Sequence, residues 1–167
     1  MSEELIKKVD LKIKDELSKI DELERINSEK VMDAFIKEQV AETDFNSTTG
    51  YGYNDVGRDK IEKIYSDIFK SEDALVRNQF ISGSHALTVA FFALLRPGDT
   101  LLSITGKPYD TMDEVIGLID NPSSLKSFGI NYMQVDLIDN DFDYDKIKEV
   151  ITNNKIKVIE IQRSKGY

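Results

Sequence analysis

Residues Ile81-Ser82-Gly83-Ser84-His85-Ala86 join a mostly apolar segment, Ala74 to Phe80, to the apolar run Leu87 to Leu95 through a turn of small side chains. Read as strand, turn and helix, the pattern places Ser82, Gly83 and Ser84 at a helix N-terminus. Unpaired backbone N–H groups and the positive end of the helix dipole favour an anion such as phosphate there, and side chains no larger than serine leave room for it. The hydroxyls at 82 and 84 add hydrogen-bonding capacity. A purely structural reading competes, in which Ser82 or Ser84 caps the helix and Gly83 supplies a tight turn. On this motif alone the structural reading is the stronger.

Two further segments shift the balance. Thr48 to Asp59 is a polar loop carrying three glycines, Gly50, Gly52 and Gly57, and two tyrosines, Tyr51 and Tyr53. Ser103-Ile104-Thr105-Gly106-Lys107-Pro108-Tyr109-Asp110-Thr111 follows an apolar strand and precedes a helix. Neither fits a nucleotide motif. Pro108 stands where a Walker A loop needs Ser or Thr and Leu101 where it needs its first glycine, while Gly50, Gly52 and Gly57 miss the dinucleotide spacing and follow no strand. The acidic run Asp139 to Asp145 has Tyr144 at the sixth place of an EF-hand loop and Val150 at the twelfth, so it reads as a solvated loop with an Asp helix cap. His85 is the only histidine and forms no histidine-pair metal motif. In the first turn of an apolar helix it reads first as a hydrogen-bonded packing residue and second as a cofactor contact.

In this order and at this spacing the three segments resemble the N-terminal part of the aluminium-resistance family, relatives of methionine gamma-lyase and cystathionine beta-lyase. The resemblance extends from the first helices to Ile161-Gln162-Arg163-Ser164-Lys165-Gly166-Tyr167. It implies a pyridoxal-phosphate (PLP) enzyme of the aspartate-aminotransferase fold, a carbon–sulfur lyase of Cys and Met metabolism, with an amino-acid substrate and a homo-oligomeric state. By resemblance the backbone at Gly83 and Ser84 takes the PLP phosphate, flanked by Ser82 and His85, and the Tyr109 ring stacks on the pyridine. Without the resemblance, Tyr109 reads as a half-exposed core aromatic. Tyr51 or Tyr53 corresponds to the tyrosine that related lyases send across a dimer interface to the neighbour's cofactor phosphate. Those lyases place an arginine two residues further on, where this chain has Tyr53 and Asp55. Arg58 is the nearest substitute, and an ion pair or a helix-start role explains it equally well.

Members of that family are longer, and the lysine that holds PLP and the aspartate on its pyridine nitrogen belong to the part that would follow Tyr167. A PLP enzyme needs an amine to hold the aldehyde. The chain alone is therefore expected to be inactive, and no catalytic residue is assigned. Lys107 and Lys165 read as ordinary polar residues, with Lys107 kept in reserve because it neighbours Tyr109. Two alternatives stand beside this reading: a non-catalytic phosphate-binding or interaction domain, and one half of a split enzyme whose C-terminal half is a separate polypeptide.

Composition narrows the classes. The 167 residues carry a formal net charge of -9, which argues against nucleic-acid and anionic-membrane binding. Zero cysteines exclude disulfides and thiolate chemistry. No apolar run is long enough to span a bilayer, and Met1-Ser2-Glu3-Glu4 lacks the order of a signal peptide, so a cytoplasmic location is expected.

The elements that must position these residues are read from periodicity. Residues 1–43 are expected to form an N-terminal helical hairpin: Leu5, Val9, Ile13, Leu17, Ile20 and Leu23 make one apolar stripe, and Asn27 or Ser28 caps a second helix through Val31, Phe35, Ile36 and Val40. The bland role of the hairpin is packing on the next domain; a coiled-coil arm is disfavoured because the stripe is short. Residues 44–167 alternate helices with apolar segments, giving an α/β domain with a mostly parallel sheet and flanking helices, part of a fold type I PLP-binding large domain. Strands are expected at Ala74 to Phe80, Thr100 to Ile104, Asn131 to Leu137 and Lys157 to Ile161, and helices at Asp110 to Leu118 and Tyr144 to Asn153. Loops at strand carboxyl ends would then bring together Ser82 to His85, Thr105 to Tyr109 and Arg163 to Tyr167.

Overall fold

The computed structural model describes residues 2–53 and 55–163. Contacts divide the chain into two compact units, Met1–Gln79 and Phe80–Tyr167.

In the first unit, α1 (Glu3–Lys37) is one uninterrupted helix of 35 residues, about 52 Å long at 1.5 Å per residue. The expected hairpin is therefore corrected. Nothing at Asn27 or Ser28 stops propagation, because both side chains find partners inside the helix. Asn27 Nδ2 donates to the Leu23 carbonyl at 2.9 Å and Ser28 Oγ to Glu24 Oε1 at 2.8 Å. Arg25 bridges Glu22 and Glu29 across the same turn, and no Gly or Pro occurs between residues 3 and 37. Ser2 caps the start, accepting from Leu5 N at 3.3 Å. Only Ala34 is buried along α1, so the apolar stripe from Leu5 to Ile26 faces outward.

The end of α1 docks on α2 (Val56–Phe69). Lys37 Nζ meets Asp67 at 2.6 Å, and Lys60 Nζ bonds Asp44 Oδ2 at 2.6 Å and the Gln39 carbonyl at 2.9 Å. That ammonium, with the Ala41 N–H, holds the Asp44 carboxyl below its ordinary range. Gly57 lets the 3-10 turn Glu42–Phe45 lie against the first turn of α2, since a Cβ there would fall on the Asp44 carbonyl.

Residues 74–80 form no strand among the described residues and end in a turn at Asn78 and Gln79, which corrects the strand expected there. Side chains satisfy this backbone instead. Val76 N donates to Glu62 Oε1 at 3.0 Å, and Arg77 pairs with the same carboxylate.

The second unit is built on a parallel sheet of order β2-β1-β3, with β1 Thr100–Ser103, β2 Asn131–Gln134 and β3 Val158–Glu160. Leu101 pairs with Tyr132 on one side and Val158 on the other. Alternation sends Leu101 to one face, against Phe91 and Leu95 of the α3 segment (α3, Gly83–Leu94), Met112, Ile116, Leu125 and Ile130. Leu102 and Ile104 go to the other, against Val135 and Val150 of α5 (Tyr144–Asn153). Both faces of β1 are thus covered, as a parallel sheet requires. The helix expected over residues 110–118 is a 3-10 turn, Asp110–Met112, followed by the short α4, Asp113–Ile116. It stops because Gly117 turns left-handed at φ 96° and the Asp113 carbonyl accepts from Gly117, Leu118 and Ile119 together. The Asp139-Asn140 pair, both at positive φ, makes a tight turn closing the Ile138–Asp141 bridge, and Asp143 caps α5 through Lys146 N at 2.9 Å.

Two substitutions test this packing. Gly57→Ala raises intrinsic helix propensity yet is expected to destabilise the first unit by about 1–3 kcal/mol, read by urea denaturation, because overpacking outweighs the propensity gain. Leu101→Ala empties a site of 0% exposure and is expected to cost the second unit about 2–5 kcal/mol in the same measurement.

Candidate functional site

Ser82 is the residue that caps α3. Its Oγ accepts from His85 N at 3.1 Å and its carbonyl from Ala86 N at 3.1 Å. The N–H groups of Gly83 and Ser84, the first two of the helix, have no intrahelical acceptor. Gly83 does not adopt a positive φ, and a Cβ built on it meets nothing within 4 Å. Neither backbone conformation nor packing demands glycine at this position. The side-chain-free approach to the helix end is what it provides.

His85 is half-buried and engaged. Its Nδ1 accepts from Ile81 N at 3.3 Å and its ring meets Phe80 edge-on at 5.9 Å between centroids. The proton of the neutral ring then sits on Nε2.

Ser84 Oγ and Thr111 Oγ1 share a hydrogen bond of 2.7 Å, which ties the start of α3 to the segment carrying Tyr109. That segment is the loop at the carboxyl end of β1. Ser103 Oγ donates to the Gly106 carbonyl at 2.6 Å, and Gly106, at φ 77°, donates its N–H to Val135 O at 2.8 Å. Tyr109 is half-buried, its N–H donates to Gln162 Oε1 at 2.7 Å, and its carbonyl accepts from Met112 N at 2.8 Å. Gln162 N in turn donates to Thr105 Oγ1 at 3.1 Å. The loops after β1 and β3 and the start of α3 are therefore linked in one place. Lys107 Nζ is ion-paired with Asp113 Oδ2 at 2.7 Å. Lys165 lies outside the described residues.

Sequence reasoning named Ser82, Gly83, Ser84, His85 and Tyr109, which all lie in the second unit, but missed Gln162 and Thr111. Their signal is weak: a polar residue just past a strand end says nothing of its partner 53 residues away. It also missed a buried polar group beside the sheet. Asp113 Oδ1 and Glu160 Oε2 are buried with no hydrogen-bond partner among the described residues. Burial pushes the Glu160 carboxyl above its ordinary range. Burial first, and the Glu160 charge second, push the Tyr132 hydroxyl up to about 12.

Tyr51 and Tyr53 belong to the first unit and are 82% and 83% exposed. Arg58 packs under their loop. Its Nη1 donates to the Gly50 carbonyl at 3.4 Å, and a Cβ on Gly52 would lie 2.5 Å from its Nη2. Asp55 and Asp59 each lie 3.8 Å from the guanidinium, so the ion-pair role is the one the structure displays.

Glu160 gives a pH dependence of definite sign. A carboxyl whose folded pKa is raised contributes stability below the unfolded value and loses it as pH rises through the folded one. Glu160→Gln is therefore expected to raise the melting temperature at about pH 7, with the gain vanishing near about pH 4. An equal shift at both pH values would show that the carboxyl charge is not the cause.

The methionine gamma-lyase family model matches residues 2–167. The uncharacterized protein YnbB of Bacillus subtilis (strain 168) is 48% identical over 171 residues, covering 98% of this chain and 40% of that protein. A Clostridium acetobutylicum crystal structure described as a "putative cystathionine beta-lyase involved in aluminum resistance" superposes with a TM-score of 0.88 at 42% identity, covering 98% of this chain and 40% of that one. A Clostridium novyi NT structure, described as a carbon-sulfur lyase involved in aluminum resistance, gives 0.87 at 41% identity, covering 96% of this chain and 40% of that one. The chain thus spans about 40% of the length of these relatives.

Proposed function

We propose, from the premise that this chain belongs to the methionine gamma-lyase family, that it forms the N-terminal part of a PLP-dependent carbon–sulfur lyase and holds the phosphate-and-ring side of the cofactor site. The observation that carries the reading is the start of α3. Two backbone N–H groups are left there by the Ser82 cap, Gly83 keeps side chains out of their way, and a hydrogen bond joins Ser84 to the Tyr109 segment.

The residues present fit the group. Gly83 and Ser84 N–H bind a phosphate at the helix end, where the dipole adds to the hydrogen bonds. The half-buried Tyr109 ring supplies a flat apolar face for a pyridine ring. Bound PLP supplies an electron sink for charge developing at an amino-acid Cα, so that a sulfur substituent on the side chain can leave. This chain's own part is to bind and orient. Lys107 is assigned no part in carrying the cofactor; its ammonium is ion-paired with the Asp113 carboxylate. The fold is read as part of the fold type I large domain, a sulfur amino acid is the substrate of the whole protein, and the cytoplasm is its compartment. Within the same reading, the exposed stripe of α1 and the edge strand β3, with Ile159 45% and Ile161 53% exposed, meet other copies of the chain or the remainder of the polypeptide.

The test is a PLP titration followed by absorbance, with borohydride trapping and peptide mass mapping. Weak binding reversed by dialysis is expected, with no single lysine modified. Specific trapping at Lys107 would overturn the assignment of that residue. Gly83→Asp separates the site from the fold. A carboxylate in the first helical turn stabilises α3 by about 0.3–1 kcal/mol but repels phosphate. PLP affinity is expected to drop about tenfold or more while thermal stability holds or rises. Unchanged affinity would remove the phosphate from this helix end.

A further inference from the structure

We infer that Gln162 is a positioning residue for Tyr109, setting the direction from which its ring meets the cofactor; the inference rests on the PLP reading. Tyr109 lies in a connection rather than in a strand of the sheet or an α-helix, so its backbone is not held by a ladder or a helical hydrogen-bond series. Pro108, buried just before it, brings no N–H to anchor the loop. The Tyr109 N–H is the anchor, and its acceptor is Gln162 Oε1 at 2.7 Å.

Gln162 is itself fixed from the other end. Its own N–H donates to Thr105 Oγ1 at 3.1 Å, so side chain and backbone of one residue clasp the two ends of segment 105–109. The sheet carries it into place. β3 pairs with β1 through Leu102↔Ile159 and Ser103↔Glu160, and Ile104 N continues the ladder to the Glu160 carbonyl at 3.2 Å, two residues before Gln162. On the far side of the same segment, Thr111 is held to Ser84 at the start of α3. The tyrosine loop is thus tied on one flank to the helix end that takes the phosphate and on the other to Gln162. In PLP the phosphate and the ring are covalently joined, so a ring-stacking side chain must keep a set offset from the phosphate site. Errors of about 1 Å in such placements are costly. Gln162 supplies the half of that frame which α3 does not.

The required chemistry at position 162 is a carbonyl-type acceptor at glutamine reach. Gln162→Glu keeps such an oxygen. Gln162→Ala and Gln162→Leu remove it, and leucine retains most of the bulk.

The experiment uses the full 167-residue chain and three readouts: Tyr109 amide hydrogen exchange by NMR, affinity for PLP, and affinity for inorganic phosphate. Gln162→Ala and Gln162→Leu are expected to speed Tyr109 exchange and to weaken PLP about three- to tenfold while leaving phosphate affinity within about twofold. Gln162→Glu should restore slow exchange and PLP affinity. The phosphate readout guards against general unfolding, which would weaken both ligands together. Equal loss of PLP and phosphate affinity, unchanged PLP affinity in the alanine variant, or failure of glutamate to restore it each overturns the positioning role. Absence of PLP binding by the unaltered chain is a different failure, since it does not depend on residue 162; it overturns the cofactor reading and the inference with it.

Discussion

Burial of β1 on both faces and along both edges is the constraint from which the second unit follows. Leu101 and Leu102 are each at 0% exposure although adjacent in sequence, so each must have its own apolar layer. One layer is α3 with Met112, Ile116, Leu125 and Ile130; the other is α5 with Val135 and Val150. With β2 and β3 in parallel on either side, the backbone groups of β1 are consumed by the ladder. A parallel sheet ends all its strands in the same direction. The chain segments that leave them, Thr105 to Tyr109 and Ile161 to Arg163, are thereby brought to one end, where Gln162 joins them. Their convergence is a consequence of the core, and the ligand chemistry is placed on it afterwards.

The glycines show how packing separates two uses of one residue type. At Gly57 a side chain would strike the Asp44 carbonyl, and at Gly52 it would meet the Arg58 guanidinium in a left-handed turn. Both are needed by the fold of the first unit. At Gly83 the backbone is ordinary and the space in front is open. A glycine there lowers helix propensity relative to alanine, and among the described residues neither a turn nor a close contact offsets that cost. Under the proposed function, approach of a phosphate to the helix end accounts for it. The distinction between Gly57 and Gly83 lies in tertiary contacts and is invisible in the local sequence, where both simply open a helix.

Where elements are decided locally, the sequence was readable. The helix Tyr144–Asn153 has its cap in Asp143 and its apolar face in Ile147 and Val150, and the expected bounds match. Strand β1 was legible as an apolar run. Misreadings occurred where satisfaction of polar groups was decided by partners. Asn27 and Ser28 look like caps, yet each bonds one turn back inside α1 and the helix continues. Residues 74–80 have strand composition, but the Val76 N–H goes to Glu62 and the segment joins no ladder among the described residues. Of the site, the serines and glycine at the start of α3 were legible because a helix end is a local feature. Gln162 and Thr111 were not, because their meaning depends on strand register and on contacts across the unit.

The proposed anion site, in a chain of net charge -9, raises an electrostatic question, which the groups at the start of α3 bear on. Within the Tyr109 segment Lys107 is ion-paired with Asp113, and Arg58 in the first unit lies between Asp55 and Asp59. What the start of α3 itself offers is backbone: N–H groups and a helix dipole that carry no formal charge. Their reach is short, falling off within the first turn, but so is the damage from distant carboxylates. At physiological ionic strength the Debye length is about 8 Å, so exposed acids farther off than this are largely screened while contact hydrogen bonds are not. Glu160, half-buried at the end of β3, is pushed by burial toward its neutral form. A phosphate can therefore be held by an acidic protein when the groups that hold it are amides in contact with it. In the proposed site, selectivity would then rest on geometry: on an unobstructed helix end, and on the offset between it and the clasped tyrosine.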